Sequence, residues 1–208
     1  MNDYTPTPLP IPPKTWPTRR DPSTKATLLI STRREYLQPT FINTALSSPD
    51  MGWAQSLPPS ALHTMLNTSL VLGLYTNAQL PDSIYGELTQ IGMARLITDY
   101  TTCAYLTDVF VAREHRGKGM ARWLVECVRE VLDGLKESTG GSFRRTLLLS
   151  GDEAFGGPFY GKLLGAEVHD QKSGVVIMST RPTNGYGGHA KQEEEKEKGT
   201  TDIKEAES

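Results

Sequence analysis

The stretch Arg116-Gly117-Lys118-Gly119-Met120-Ala121 puts two glycines and two cations into six residues. Glycines let a backbone turn tightly and bring unpaired N–H groups close to a ligand, and a helix that starts there adds the positive end of its dipole. A turn of this kind seats an anion such as a pyrophosphate. Its spacing excludes two other phosphate seats. No Gly-x-x-x-x-Gly-Lys-Ser/Thr pattern occurs and no hydroxyl follows Lys118 to hold magnesium, while a dinucleotide fingerprint needs three glycines and an early strand. Asp108 is the second candidate, a carboxylate inside an apolar strand. Burial there makes it a candidate general base, and the alternative is a structural role accepting hydrogen bonds from neighbouring backbone or from Arg95. Asp99 sits in a turn-forming segment, Glu126 on a polar helix face, and His115 in the turn before the glycines. Neither His63 and His169 nor Cys103 and Cys127 show ligand spacing, so no metal site is expected.

Two elements must hold the glycine turn. Val109, Phe110 and Val111 form the apolar strand before it. After it, Ala121, Leu124, Val125, Val128, Leu132 and Leu135 share one helical face, with Arg122, Glu126, Arg129, Asp133 and Lys136 opposite. Elsewhere, strands are expected at residues 26–32, 69–75, 90–98, 103–111 and 145–150, the third and fourth as an antiparallel hairpin. Short helices are expected around 41–46, 59–67 and 155–164, the last capped by Gly165, and a final hairpin joins 166–169 to 175–179. Residues 1–24 read as a Pro-rich extended or disordered leader, able to wrap the domain through Leu9, Ile11 and Trp16, since residues 1–22 hold half of the 14 prolines. Residues 25–182 form one domain, and 183–208 a charged, disordered tail. The formal charge of −2 carries no global signature of nucleic-acid binding, and no apolar run reaches the length of a membrane span.

The glycine turn and its flanks resemble the acyl-CoA-binding motif of the GCN5-related N-acetyltransferase (GNAT) superfamily, Gln/Arg-x-x-Gly-x-Gly/Ala, matched by Arg116, Gly119 and Ala121. Phe159-Tyr160-Gly-Lys-Leu-Leu-Gly165 is similar to the family's Tyr-x-x-x-Gly-Phe signature, with one extra residue and Ala166 in place of Phe. The stretch from Gly92 through Thr98-Asp99-Tyr100 to Val111 also resembles a small, uncharacterised subgroup from bacteria and fungi. The resemblance implies an α/β (α+β) GNAT fold. It has a mixed central sheet of about six to seven strands, four flanking helices, and strands four and five splayed.

It further implies acetyl-CoA as cosubstrate, no metal, and direct transfer of an acetyl group to an amine. Val109, Phe110 and Val111 would pair with the pantetheine arm, and the Val111 N–H would polarise the thioester oxygen. Residues Arg116, Gly117, Lys118, Gly119, Met120 and Ala121 would hold the pyrophosphate, while Tyr160 would protonate the departing thiolate. Tyr160 is alternatively a space-filling phenol. The expected partner is a small-molecule amine or amino acid, with Tyr36, Phe41 and Trp53 as possible walls, and no nucleic acid or membrane. Protein N-terminal or lysine acetylation, or a non-catalytic CoA-binding module, are the alternatives. The expected location is cytoplasmic or nuclear.

Overall fold

Among the described residues, six strands form one sheet in chain order: β1 (Arg19–Arg20), β2 (Thr27–Ser31), β3 (Leu70–Asn77), β4 (Leu88–Thr98), β5 (Cys103–Val111) and β6 (Arg145–Leu148). Neighbours are antiparallel except β5 and β6, which run parallel. The computed structural model describes residues 9–21, 23–77, 88–151 and 153–169. The chain divides into two compact units, Met1–Val168 and His169–Ser208, and only His169 of the second lies among the described residues. The expected 183–208 tail and the 175–179 half of the last hairpin fall outside them. Residues 166–169 carry no regular element.

Among the described residues, four α-helices flank the sheet. α1 (Pro39–Leu46) and α2 (Pro59–Thr68) each start on a proline, whose missing N–H is no loss in a first turn. They bury Ile42, Ala45, Leu62 and Leu66, with Leu37 just ahead of α1, against Val71 and Met93 on one sheet face. α3 (Met120–Ser138) packs on the other face, over Leu72, Leu74, Ala94, Leu96 and Leu106. α4 (Glu153–Leu164) follows β6, and Gly165 ends it at φ 68°, its N–H bonded to the Gly161 carbonyl at 3.0 Å.

The α3 face is wider than the six-residue face read from sequence, because Trp123, Cys127 and Val131 are buried as well. The leader covers that flank. Of the two forms expected for residues 1–24, the described part takes the extended one and lies on the domain through Leu9, Ile11 and Trp16. Trp16 is 5% exposed and belongs to the α3 core, with Leu9 and Ile11 packed against it. Prolines at 10, 12, 13 and 17 thin the ladder without abolishing it, as on an edge strand. The Trp16 N–H still reaches the Ile30 carbonyl at 3.0 Å, the Thr32 N–H reaches Lys14 at 2.8 Å, and Arg19–Arg20 pair with Leu28 and Thr27. The leader thus runs antiparallel to α3. Lys14 and Trp16 both donate to Glu130, Arg19 lies over Trp123 at 4.4 Å, and Asp21 meets Lys118.

Two irregularities in β5 matter most. Pairing with β6 stops at Leu106 and Leu148, while β4 stays alongside to Val111. The segment from Thr107 to Val111 therefore has an edge that β6 does not pair, which is the splay between the two strands. Against β4, Arg95 pairs with Thr107 and Met93 with Phe110, so Asp108 and Val109 together face Ala94. This is a β-bulge, and Asp108 takes a φ of 51° within it.

Candidate active site

The bulge changes which face each side chain of β5 points to. Ala104 and Leu106 enter the α3 core, and so do Val109 and Val111 after the extra residue, while Asp108 and Phe110 turn to the α1–α2 side. Asp108 is buried there. Its Oδ2 accepts from Arg95 Nε and Nη2, both at 2.7 Å, and its Oδ1 accepts from Thr107 Oγ1 at 3.1 Å and Trp53 Nε1 at 3.3 Å. A carboxylate offers about four lone-pair sites, and these donors fill them.

At the end of β5 the backbone turns. The Ala112 N–H bonds to the Ile91 carbonyl at 2.8 Å, toward β4. Strand neighbours point their backbone groups to opposite sides, so the N–H and C=O of Val111 face the edge that β6 leaves open. Arg116 Nε takes that carbonyl at 2.8 Å, leaving the N–H. Gly117 and Gly119 then adopt φ values of 75° and 77°, the left-handed region that glycine enters without steric cost. A Cβ at either would meet nothing, so the space in front of the loop is open. The first helical bond of α3 runs from Trp123 N to Gly119 O at 3.0 Å. Among the described residues, no protein acceptor takes the N–H groups of residues 117–122.

The two cations of the loop are engaged. Arg116 Nη2 lies 2.8 Å from Asp50, which also receives Arg113 in a two-pronged pair at 2.7 and 2.9 Å. Arg113, then Arg116, hold the Asp50 carboxyl well below the usual carboxylate range. Lys118 Nζ lies 3.2 Å from the buried Asp21. The Thr24 N–H is the main cause of a lowered Asp21 pKa of about 2, with burial opposing it and Ser23 and Lys118 adding to it. Both cations are thus ion-paired in this structure, Arg116 with Asp50 and Lys118 with Asp21. The loop's open donors are its backbone N–H groups, and Arg116 shapes the turn.

Tyr160 lies on α4, half-buried against the α3 core and edge-on to Phe159 at 5.0 Å. Burial pushes its phenol above the ordinary value. Gly156, one turn earlier, lets α4 approach Ser150 more closely than a Cβ would allow. Among the other sequence candidates, Asp99 folds its carboxylate into its own turn, accepting from the N–H groups of Thr101, Thr102 and Cys103. No group of three potential metal ligands occurs among the described residues, and none of their helices is long and apolar enough to cross a membrane. Asp21 and Asp50 were not candidates from sequence. Nothing near them in the chain signals partners 97 and 66 residues away.

The bulged, splayed strand and the glycine turn that opens α3 together define an α/β acyltransferase architecture. The family model for the acetyltransferase (GNAT) family matches residues 70–139. A Gibberella zeae protein with the name "Putative acetyltransferase" is 36% identical over 172 residues, spanning 79% of this chain and 93% of its own. The crystal structure of a "putative acetyltransferase belonging to the gnat family" from Xanthomonas campestris pv. campestris is 26% identical with a TM-score of 0.53. It covers 74% of this chain and 93% of that one. A Staphylococcus aureus structure described as a "Probable Acetyltransferase" shares the fold, at 16% identity and a TM-score of 0.50, covering 74% and 99%. The chain belongs to the GNAT family of acetyltransferases.

Proposed function

We propose that the protein uses acetyl-CoA to acetylate a primary amine by direct attack, without a covalent acyl-enzyme. The observation that carries this reading is one continuous run of chain, from Thr107 to Arg122, that offers first an open strand edge and then an open helix start. Acetyl-CoA supplies the activated acyl thioester. Its extended pantetheine amides suit the strand edge as an added strand would, and its pyrophosphate suits the N–H groups of residues 117–121. Val109 and Phe110 keep the edge in line.

Four groups of this chain then have work. The Val111 N–H donates to the carbonyl oxygen as negative charge develops there. Tyr160 gives its phenolic proton to the departing sulfur, since a raised phenol pKa keeps the donor protonated where a thiol is not. Asp108, with its lone pairs filled, holds the bulge that aims Val111 and is a positioning residue rather than the general base. The acceptor's ammonium loses its proton to solvent before attack. Arg116 fixes the turn between strand and helix.

A calorimetric titration with acetyl-CoA tests the seat. Wild type is expected to bind at about micromolar Kd, within the ordinary range for cosubstrates. Folded Gly119→Glu is expected to lose binding, because it adds bulk and like charge in front of the loop. Folded wild type that does not bind acetyl-CoA would refute the proposal.

A further inference from the structure

The sheet face turned away from α3 carries side chains that neither core uses. Past Met93 and Phe110, which pack under α1 and α2, β4 and β5 point Arg95, Ile97, Tyr105 and Thr107 to this side. The register sets Ile97 beside Tyr105 and Tyr105 beside Leu147 of β6, an apolar row across three strands. Ile97 is 44% exposed and Leu147 48%. One pleat further on, about 7 Å away, the Arg95–Thr107 row leads to the bulge. Trp53 stands there at 60% exposure, its indole N–H fixed on Asp108. An exposed tryptophan tied at its polar end presents the rest of its ring as a wall.

Charge decides what this wall suits. The α1–α2 connection, β4, β5 and the turn between them carry three described carboxylates, and each is already satisfied. Asp50 holds Arg113 and Arg116, Asp99 closes its own turn, and Asp108 accepts four hydrogen bonds. A polyamine or an amino sugar would bring extra charges or a strongly polar body onto this apolar row. The extra charges would find no free carboxylate among these described residues, and burying them unpaired is costly. An apolar lining also disfavours the ammonium form and so favours the neutral amine that attack requires.

Resting on the acetyltransferase reading above, we propose that this strip seats the acceptor, and that the acceptor is a hydrophobic monoamine. Its apolar body lies on Trp53, Tyr105, Ile97 and Leu147, and its nitrogen sits at the open edge of β5. Trp53 is the specificity-determining residue. The strip is two rows deep, which suits one aromatic ring or a chain of about six carbons.

The test follows CoA release by the full chain with acetyl-CoA and four acceptors: benzylamine, hexylamine, spermidine and glucosamine. Benzylamine and hexylamine are expected to exceed the other two in kcat/KM by about tenfold or more. Trp53→Ala is expected to raise KM for benzylamine about tenfold and to collapse the preference over glucosamine, with acetyl-CoA titration as its fold control. Trp53→Phe keeps an aromatic wall without the N–H and is expected to retain the preference. Three outcomes overturn the inference while acetyl-CoA still binds: spermidine or glucosamine preferred, an unchanged benzylamine KM in Trp53→Ala, or Trp53→Phe behaving like Trp53→Ala. Failure of the folded wild type to bind acetyl-CoA is a separate result. It removes the acetyltransferase reading and this inference with it.

Discussion

Replacing Asp108 with alanine separates its two possible roles. Asp108 is 4% exposed and Arg95 14%, so the pair falls in the buried class, where removing one partner costs about 3–5 kcal/mol, and not in the surface class of about 0–1 kcal/mol. The φ of 51° adds roughly 1 kcal/mol more, because alanine tolerates the left-handed region less well than aspartate. At about 2–4 °C per kcal/mol for a chain of this size, Tm should fall by roughly 8–24 °C. Asp108→Gly relieves the backbone and should recover about that last kcal/mol. Arg95→Met combined with Asp108→Ala leaves no lone buried charge and should be more stable than Asp108→Ala alone. Thermal and urea denaturation followed by circular dichroism measure these, with CoA release measured on the folded fraction. The reasoning fails if Asp108→Ala costs under about 1 kcal/mol yet lowers kcat by about 10²–10⁴, because that is the signature of a lost general base.

Tyr160→Phe should lower kcat by about 10² or more while the calorimetric affinity for acetyl-CoA holds. With the phenol raised above its ordinary value of about 10, the donor stays protonated through neutral and mildly alkaline pH. The logarithm of kcat/KM should therefore climb with pH toward the acceptor amine's own pKa, with no falling limb below about pH 10, and a fall near pH 8 would contradict this. Trp16→Ala should destabilise the protein by about 3–5 kcal/mol in thermal or urea unfolding, as expected for a large side chain lost from a packed core. An unchanged midpoint would mean that the leader is not part of that core.

The parts of the fold that could be read from sequence are those whose signal is periodic and local. β3 to β5, α3 and the glycine turn lie within a residue or two of their expected places, because alternation, helical spacing and paired glycines each act over a few neighbours. β1 was missed because prolines mask an edge strand that needs only a few backbone bonds. The bulge left one trace, a carboxylate in an apolar strand, which raised Asp108 as a candidate but did not reveal the local reversal of faces. The ties that set the site, Trp53 to Asp108, Asp50 to Arg116 and Asp21 to Lys118, join residues 55 to 97 positions apart. Pairwise geometry at that separation leaves no mark on composition or period.

The seat of Trp16 also fixes an order of events during synthesis. Its indole partner, Glu130, lies 114 residues downstream, so at about 5–20 residues per second Trp16 emerges roughly 6–23 s before that acceptor has been made. β2 can offer a pairing edge earlier, but the apolar floor under the indole comes from α3. Until then Trp16 stays open to chaperones, and this early-translated part of the fold is among the last to be locked.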